Sequence, residues 1–257
     1  MVTNKKTDQG DFDALFYAGT QTLINRFGEK DAGKLAKLER DFSALAALDA
    51  RLKPVKGDFD LAHMQAIHTK IFSEVYPWAG QIRDYPIFKK RPDGLVTEFA
   101  RPDEITKLDQ RIKALMQETK NFTSLKPNEF PEKIARVYQI ANEMHPFREG
   151  NGRTQRIYLD YLASQVGYKL DFKLVDKEAW NYAASMSGKV NLGGDRIDGR
   201  TDELEKLFKH ISKGVEKATA NAYAQGRAAQ TTRRAGIMTL ADLNPKLAAE
   251  KKASYRV

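Results

Sequence analysis

Residues His145 to Arg156 read H-P-F-R-E-G-N-G-R-T-Q-R and set a base, a carboxylate, an amide, two glycines and the pair Arg153 and Arg156 within one short stretch. Gly150 and Gly152 remove β-carbons where a ligand could come close to the main chain, and glycine reaches positive φ at little cost. If a helix begins here, its unpaired N–H groups and its dipole favour an anion, above all a phosphate, in a concave nest of amides. Arg153 and Arg156 are three apart, therefore on one face of such a helix, and each offers a planar fork suited to phosphate oxygens. Two forks imply more than one phosphate. Glu149 stands just before the nest, where a phosphate would repel it unless a hard divalent cation stood between them. Mg²⁺ takes one or two carboxylates together with phosphate oxygens and water, so Glu149 is the candidate metal ligand and a metal nucleotide is implied. His145 titrates near neutral pH and is the candidate general base.

These residues need elements to hold them. Apolar side chains recur at helical spacing before the stretch (Ile134, Val137, Tyr138, Ile140, Ala141) and after it, from Ile157 to Val166, which makes the stretch a loop between two helices. Helices are predicted over Asp31 to Lys53, Leu61 to Phe72, Pro102 to Lys120, Asn128 to Met144, Gly152 to Val166, Asp176 to Ser187 and Thr201 to Lys217, with Pro102 as a first helical residue. Between Ile82 and Pro102, two short runs rich in β-branched and aromatic residues flank Pro92-Asp93-Gly94, a signal for a hairpin. The predicted fold is all-α, a helical bundle with one β-hairpin. Lys89 and Lys90 fall near the hairpin tip. They either approach a nucleotide or blunt an exposed strand edge.

The stretch from His145 to Arg156 resembles the signature of the Fic family, H-x-F-x-[D/E]-G-N-G-R-x-x-R, with a match at every fixed position. The resemblance implies the Fic fold, with the hairpin as a flap over the active site, and Tyr76-Pro77-Trp78-Ala79-Gly80 before the hairpin resembles the family too. It implies transfer of AMP from ATP to a Tyr, Thr or Ser hydroxyl of a target protein, with pyrophosphate leaving. In that reading His145 deprotonates the hydroxyl and Phe147 anchors the loop. Glu149 holds Mg²⁺ on the α- and β-phosphates, Asn151 and the amides around Gly150 and Gly152 cradle the α-phosphate, and Arg153 and Arg156 bind the outer phosphates. The target docks on the flap as an added strand, held mainly by main-chain bonds. Doc-type kinases of the wider group depart from the pattern at the second glycine and its neighbours, whereas Gly152 and Arg153 keep the AMP-transferring form. A transferase using another phosphate-containing donor, such as phosphocholine, would leave Arg153 and Arg156 without a triphosphate.

The resemblance to Fic toxins suggests DNA gyrase or topoisomerase IV subunits as targets. Many relatives are silenced by [S/T]-x-x-x-E-[G/N], whose glutamate pairs with the second motif arginine, here Arg156. The near matches Thr201 to Glu205 and Ser212 to Glu216 are followed by Lys206 and Lys217 rather than Gly or Asn. Restraint by a small antitoxin acting in trans is therefore expected.

Two other patterns carry no chemistry. Gly28 to Lys34 satisfies G-x-x-x-x-G-K, yet Leu35 stands where a phosphate loop needs Ser or Thr, and no β-rich run precedes it. His63 and His68 are five apart on one helix and diverge too far to share a metal, so they read as packing residues.

The chain has 257 residues, 41% of them hydrophobic, enough for a full core with an appendage. There is no apolar run of membrane-spanning length and no signal-like N-terminus. The expected location is the cytoplasm of a producing bacterium, with delivery into another cell by a route lacking such a signal left open. Zero cysteines exclude a disulfide framework and thiolate metal sites. From Lys206 onward eleven Lys or Arg face three Asp or Glu, so most of the formal +9 sits there and the body is nearly neutral. The organisation expected is a flexible N-terminus at 1–10, the Fic domain at 11–217 and a basic C-terminal tail at 218–257, dispensable for AMP transfer. A non-catalytic Fic-like binding module and a nucleic-acid binder are the competing classes. The first lacks a substituted catalytic position, and the second has only the tail, which would give salt-sensitive, non-specific attraction; no direct nucleic-acid contact and no membrane contact are expected.

Overall fold

The computed structural model describes residues 14–91, 94–192, 195–214 and 236–254. Helix α1 (Ala32–Leu52) starts at Asp31, whose carboxylate accepts from the Lys34 amide at 2.8 Å. Helix α2 (Leu61–Phe72) starts in the same way at Asp60, which accepts from the His63 amide at 3.0 Å. Each cap satisfies an N–H that would otherwise lack an acceptor. The glycine-lysine pattern before α1 is thus a turn and a helix start.

Strands β1 (Phe88–Lys90) and β2 (Val96–Glu98) form the predicted hairpin, in register Phe88 to Glu98 and Lys90 to Val96. Its tip at Pro92 and Asp93 lies outside the described residues. Pro102 opens a 3₁₀ turn (Pro102–Glu104) that leads into α3 (Ile105–Glu118). Helices α4 (Phe130–Met144) and α5 (Asn151–Gln165) follow, then β3 (Tyr168–Leu170), a 3₁₀ turn (Phe172–Leu174) and α6 (Lys177–Met186). Next come β4 (Val190–Leu192), β5 (Asp195–Ile197), α7 (Asp202–Ile211) and β6 (Ser212–Gly214). Two further helices, α8 (Leu240–Leu243) and α9 (Pro245–Ser254), lie in the C-terminal segment.

The core gathers around α5, whose Tyr158, Leu159, Leu162 and Ala163 are fully buried, and around α4, which is buried from Ile134 to Met144 on all but one position. Each fully buried large aliphatic or aromatic side chain contributes about 1.5–3 kcal/mol. The bundle therefore rests on the two helices that carry the His145 to Arg156 loop between them. The hairpin does not stand free. β2 pairs with β4 through Thr97 and Val190, giving a four-stranded sheet in the order β1-β2-β4-β5 with β1 at one edge.

Three expectations change. The all-α reading holds, but β4 and β5 form a second hairpin flanking Gly193-Gly194, a turn signal between two short runs that the helical periodicity masked. The helix expected over Thr201 to Lys217 ends at Ile211, because Ser212–Gly214 pairs antiparallel with Tyr168–Leu170 and the Asp171 amide donates to the Ile211 carbonyl at 3.0 Å. Tertiary pairing overrides the local pattern there. Of the two regulatory near matches, the Thr201 hydroxyl donates to Glu205 at 2.7 Å at the start of α7, and Glu216 lies outside the described residues. The third change concerns the tail. Its Ala218 to Ala229 and Thr231 to Arg234 lie outside the described residues, as does the N-terminus at 1–10, but residues 236–254 are packed on the body. The Met238 amide donates to the Leu174 carbonyl at 2.6 Å, and the Asp176 amide donates to the Met238 carbonyl at 3.0 Å.

Candidate active site

α4 ends where Pro146 prevents its continuation. The residue before a proline is disfavoured in the right-handed helical region, and His145 adopts the left-handed one, φ 41 and ψ 59. For a non-glycine residue this costs about 1–3 kcal/mol and persists only where the surroundings impose it. Here the imposing group is Arg83, which is 4% exposed. Its Nε donates to the His145 carbonyl at 2.8 Å and one terminal nitrogen to Tyr85 at 2.6 Å. The other terminal nitrogen donates to the carbonyls of Met144, at 3.2 Å, and Ala100. The Arg83 amide also donates to the Pro146 carbonyl at 2.9 Å. A cation thus closes the carbonyl end of α4, where the helix dipole favours it, and locks the turn that aims the imidazole.

The His145 ring stacks on Phe99 with centroids 3.8 Å apart. Its Nδ1 lies 3.3 Å from the Asn142 carbonyl. A carbonyl can only accept, so Nδ1 carries the proton and Nε2 keeps a lone pair. Burial pushes the imidazole down to about 3, against the Asn142 hydrogen bond, and the positive charges of Arg83 and Lys89 lower it further. The ring is therefore neutral at working pH, as a base must be. Anionic phosphates bound nearby would raise it toward the range where proton transfer is efficient.

The loop separates its two glycines by role. Gly150 has φ 80 and precedes α5, and a β-carbon there would stand 2.3 Å from the Phe72 ring. Both demands are internal to the fold. Gly152 has no positive φ, and a β-carbon there would meet nothing within 4 Å. Its side-chain space opens outward above the first turn of α5, where the leading amides lack intrahelical acceptors. Asn151 is 4% exposed and spans the loop, accepting from the Phe147 amide at 3.0 Å and donating to the Phe147 carbonyl at 2.7 Å. In this structure Asn151 shapes the nest. Glu149 is half-exposed, and its carboxylate accepts from the Gly150 amide at 3.0 Å. A single exposed carboxylate at a helix start suits a hard divalent ion that completes its shell from a nucleotide, so the donor chemistry fits Mg²⁺.

The two arginine forks do not share surroundings. Arg153 donates to Ser43 at 2.8 Å and to Glu39, both on α1, and lies over the Phe72 ring at 4.6 Å. Glu39 also accepts from the Tyr76 hydroxyl. Arg156 lies over Trp180 at 5.0 Å and Phe172 at 5.4 Å. The two arginines, expected on one common face, thus have different partners in this structure. Three residues on a helix still leave the side chains about 60° apart, so Arg153 turns to α1 while Arg156 turns to Trp180 of α6 and to Phe172.

A cavity of about 410 Å³ borders His145. Lys89 and Lys90 line it from β1, Thr97 and Phe99 from the second strand and its continuation, Asn142 from α4, and Asn181 and Ser185 from α6. Both flap lysines thus line the cavity that borders the candidate base, while β1 itself is an exposed sheet edge. The Thr97 hydroxyl is buried and has no hydrogen-bond partner among the described residues, so it has an unmet demand inside the cavity. The cavity takes in His145 but not Glu149 or Arg153.

Sequence reasoning missed Arg83, Phe99, Thr97 and Glu39, which sit 62, 46, 48 and 114 residues from the motif members they serve or neighbour, or nearly so, with no spacing to mark them. His68 is more than packing. Its Nε2 donates to the Glu149 carbonyl at 2.9 Å while its Nδ1 accepts from the Gly80 amide at 2.9 Å, tying the Tyr76 to Gly80 turn to the motif loop. His63 is satisfied by the Val55 carbonyl at 2.8 Å and the Phe59 amide at 3.3 Å.

Burial lowers the pKa of His63, takes His68 to about 4 and His145 to about 3. Below pH 6.5 the unfolded chain takes up protons that these neutral rings refuse, so stability falls with pH. A ring that stays neutral throughout this interval, as His68 does, contributes a slope of up to about 1.4 kcal/mol per pH unit. Asp160, which burial raises to about 6, acts in the opposite sense between pH 4 and 6. The net expectation is a urea midpoint that drops steadily from pH 6.5 to 5; an unchanged midpoint over that interval would contradict the neutral-histidine assignment.

Residues 58–163 match the Fic/DOC family. A protein adenylyltransferase of Bartonella henselae is 32% identical over 207 residues, covering 76% of this chain and 36% of that protein. The chain thus spans about a third of the length of that relative. A probable protein adenylyltransferase Fic of Escherichia coli is 31% identical over 200 residues, covering 77% of this chain and 92% of the relative. The crystal structure of the BepC protein, a VirB-translocated effector of Bartonella tribocorum with bound AMPPNP, superposes with a TM-score of 0.68 at 27% identity, over 79% of this chain and 98% of that one.

Proposed function

This chain belongs to the Fic/DOC family, and from that membership and its intact motif we propose that it transfers AMP from ATP to a hydroxyl side chain of a target protein. The observation that carries the proposal is His145: a neutral imidazole, protonated on Nδ1, borders a cavity under the hairpin and ends the helix next to an open nest of amides. Homologues named protein adenylyltransferase and the AMPPNP-bound relative support the same reading.

The cavity of about 410 Å³ is large enough for a nucleoside, with Asn181, Ser185 and Thr97 as polar contacts. The phosphates then extend over the first turn of α5, where Gly152 leaves the space open. Arg153 supplies a fork to the outer phosphates, and Lys89 and Lys90 add positive charge from the flap. Arg156, held between Trp180 and Phe172, reaches the phosphates only by leaving its rings. Glu149 would hold Mg²⁺, which when bound neutralises phosphate charge. His145 Nε2 takes the proton of the incoming hydroxyl as the new oxygen–phosphorus bond forms at the α-phosphorus. The bond from that phosphorus to the bridging oxygen breaks, and pyrophosphate leaves with the electron pair. Most of the rate comes from positioning and charge neutralisation.

β1 is an edge strand with Phe88, Lys89 and Lys90 exposed, so a target backbone can pair along it. DNA gyrase or topoisomerase IV subunits are the targets we propose, with a small antitoxin in trans as the restraint; the translocated relatives support delivery into another cell as the other setting. Among the described residues no helix is long and apolar enough to cross a membrane. The deciding experiment incubates the full chain with Mg²⁺ and a lysate, using ATP labelled on the α- or the γ-phosphate. Protein bands labelled from the α-position alone are expected. Label from the γ-position would mean a kinase orientation, and no label from either would leave a binding module. Growth arrest on expression, relieved by co-expressing an adjacent small reading frame, tests the restraint.

A further inference from the structure

The C-terminal segment, which composition marks as a dispensable tail, contributes a wall to the cavity that borders His145. Leu240 of α8 and Leu247 of α9 both line it. Leu240 is buried against α6, and α8 begins with a reciprocal cap in which the Thr239 amide donates to Asp242 at 2.7 Å. Asn244 then donates through Nδ2 to the Tyr182 hydroxyl at 2.9 Å, and Tyr182 itself faces the cavity. The segment is registered on the body by the Met238 bridge to Val175 and by the Gly236 carbonyl, which lies 2.9 Å from His210 Nε2. Contacts to α6, α7 and the 3₁₀ turn before α6 thus position two leucines opposite Lys89, Thr97 and His145.

We propose that the segment from Gly236 to Ser254 is an integral part of the nucleotide pocket, with Leu247 as a specificity-determining contact that packs on the nucleoside of ATP. The proposal rests on the AMP-transfer reading above and adds an aliphatic wall to the pocket. The other walls combine ammonium, amide and hydroxyl groups, which hold polar edges, with the rings of Phe99 and Tyr182, and the two leucines add further surface for a purine face. Without the leucines a nucleoside would keep part of its apolar surface in water, losing about 25 cal/mol for each Å² left uncovered. Leu247 is only part-buried, so replacing it leaves the packing of α8 and α9 in place.

The test uses the full chain and AMPPNP with Mg²⁺ as the probe, read by calorimetry, so no target is needed. Leu247→Trp fills the cavity and is expected to weaken AMPPNP binding at least tenfold; Leu247→Ala is expected to weaken it by a smaller factor. Lys246→Trp, on the exposed side of the same helix turn, is expected to bind as the parent does. Circular dichroism melts establish that each variant is folded. Equal affinity for Leu247→Trp and the parent chain would overturn the proposal, and so would tighter binding, which would make the segment a plug rather than a wall. A parent chain that binds no AMPPNP would instead reject the AMP-transfer reading itself.

Discussion

Replacing His145 with alanine is expected to cut AMP transfer by about 10²–10⁴-fold, the range for loss of a positioned general base, while AMPPNP affinity stays within about threefold. The split follows from where the ring sits. It borders the cavity and stacks on Phe99, but the amide nest, Glu149 and Arg153 lie beyond it and keep their own supports in Phe147, Phe72 and Glu39. Removing the imidazole leaves these untouched. The readout is α-labelled ATP with purified target or lysate, alongside calorimetry with AMPPNP. Labelling at the parent rate by the variant would mean that another group takes the proton, whereas loss of binding in parallel with rate would make His145 a structural residue.

The second large effect comes from the two glycines, which the sequence shows as equivalents and the structure does not. Gly150→Ala places a β-carbon 2.3 Å from the Phe72 ring on a residue with φ 80. Steric overlap and backbone strain together are expected to cost about 3 kcal/mol, lowering Tm by roughly 10 °C in a chain of this size. Gly152→Ala meets open space and ordinary helical backbone. Its Tm should be unchanged or slightly raised, because alanine favours helix over glycine by up to about 1 kcal/mol. Yet the added methyl occupies the approach to the α5 amides, and AMPPNP affinity is expected to fall at least tenfold. Thermal melts and calorimetry on the same two proteins decide the matter. A stable Gly152→Ala protein with parental affinity would show that the phosphates do not pass over this turn.

The segments with strong helical periodicity proved readable because burial of one face sets their spacing: Leu61–Phe72 has the predicted bounds, and α1, α4, α5 and α6 fall within two residues of theirs. The hairpin was legible from Asp-Gly between β-branched runs. The short strands β3 to β6 were not, since three residues carry too little pattern; β3 and β6 in addition pair with each other across more than forty residues of chain, whereas β4 and β5 form a tight hairpin. The Thr201 to Lys217 helix failed for the same reason: pairing of Ser212–Gly214 with Tyr168–Leu170 competes with, and beats, local propensity.

By itself the sequence marked the loop from His145 to Arg156 as the candidate site, because base, carboxylate, glycines and arginines are contiguous and their types need no partner to be recognised. The tertiary structure alone decided how that loop is held and what it faces. Arg83 gathers carbonyls from three segments to impose the His145 turn, Phe72 forbids a side chain at Gly150, and Arg153 turns to α1 while Arg156 turns to Trp180 of α6. The C-terminal leucines reach the cavity by docking on α6 and α7. These are contacts between residues far apart in the chain, settled by close packing and by the need to pair every buried polar group, and neither constraint leaves a local signature in the order of amino acids.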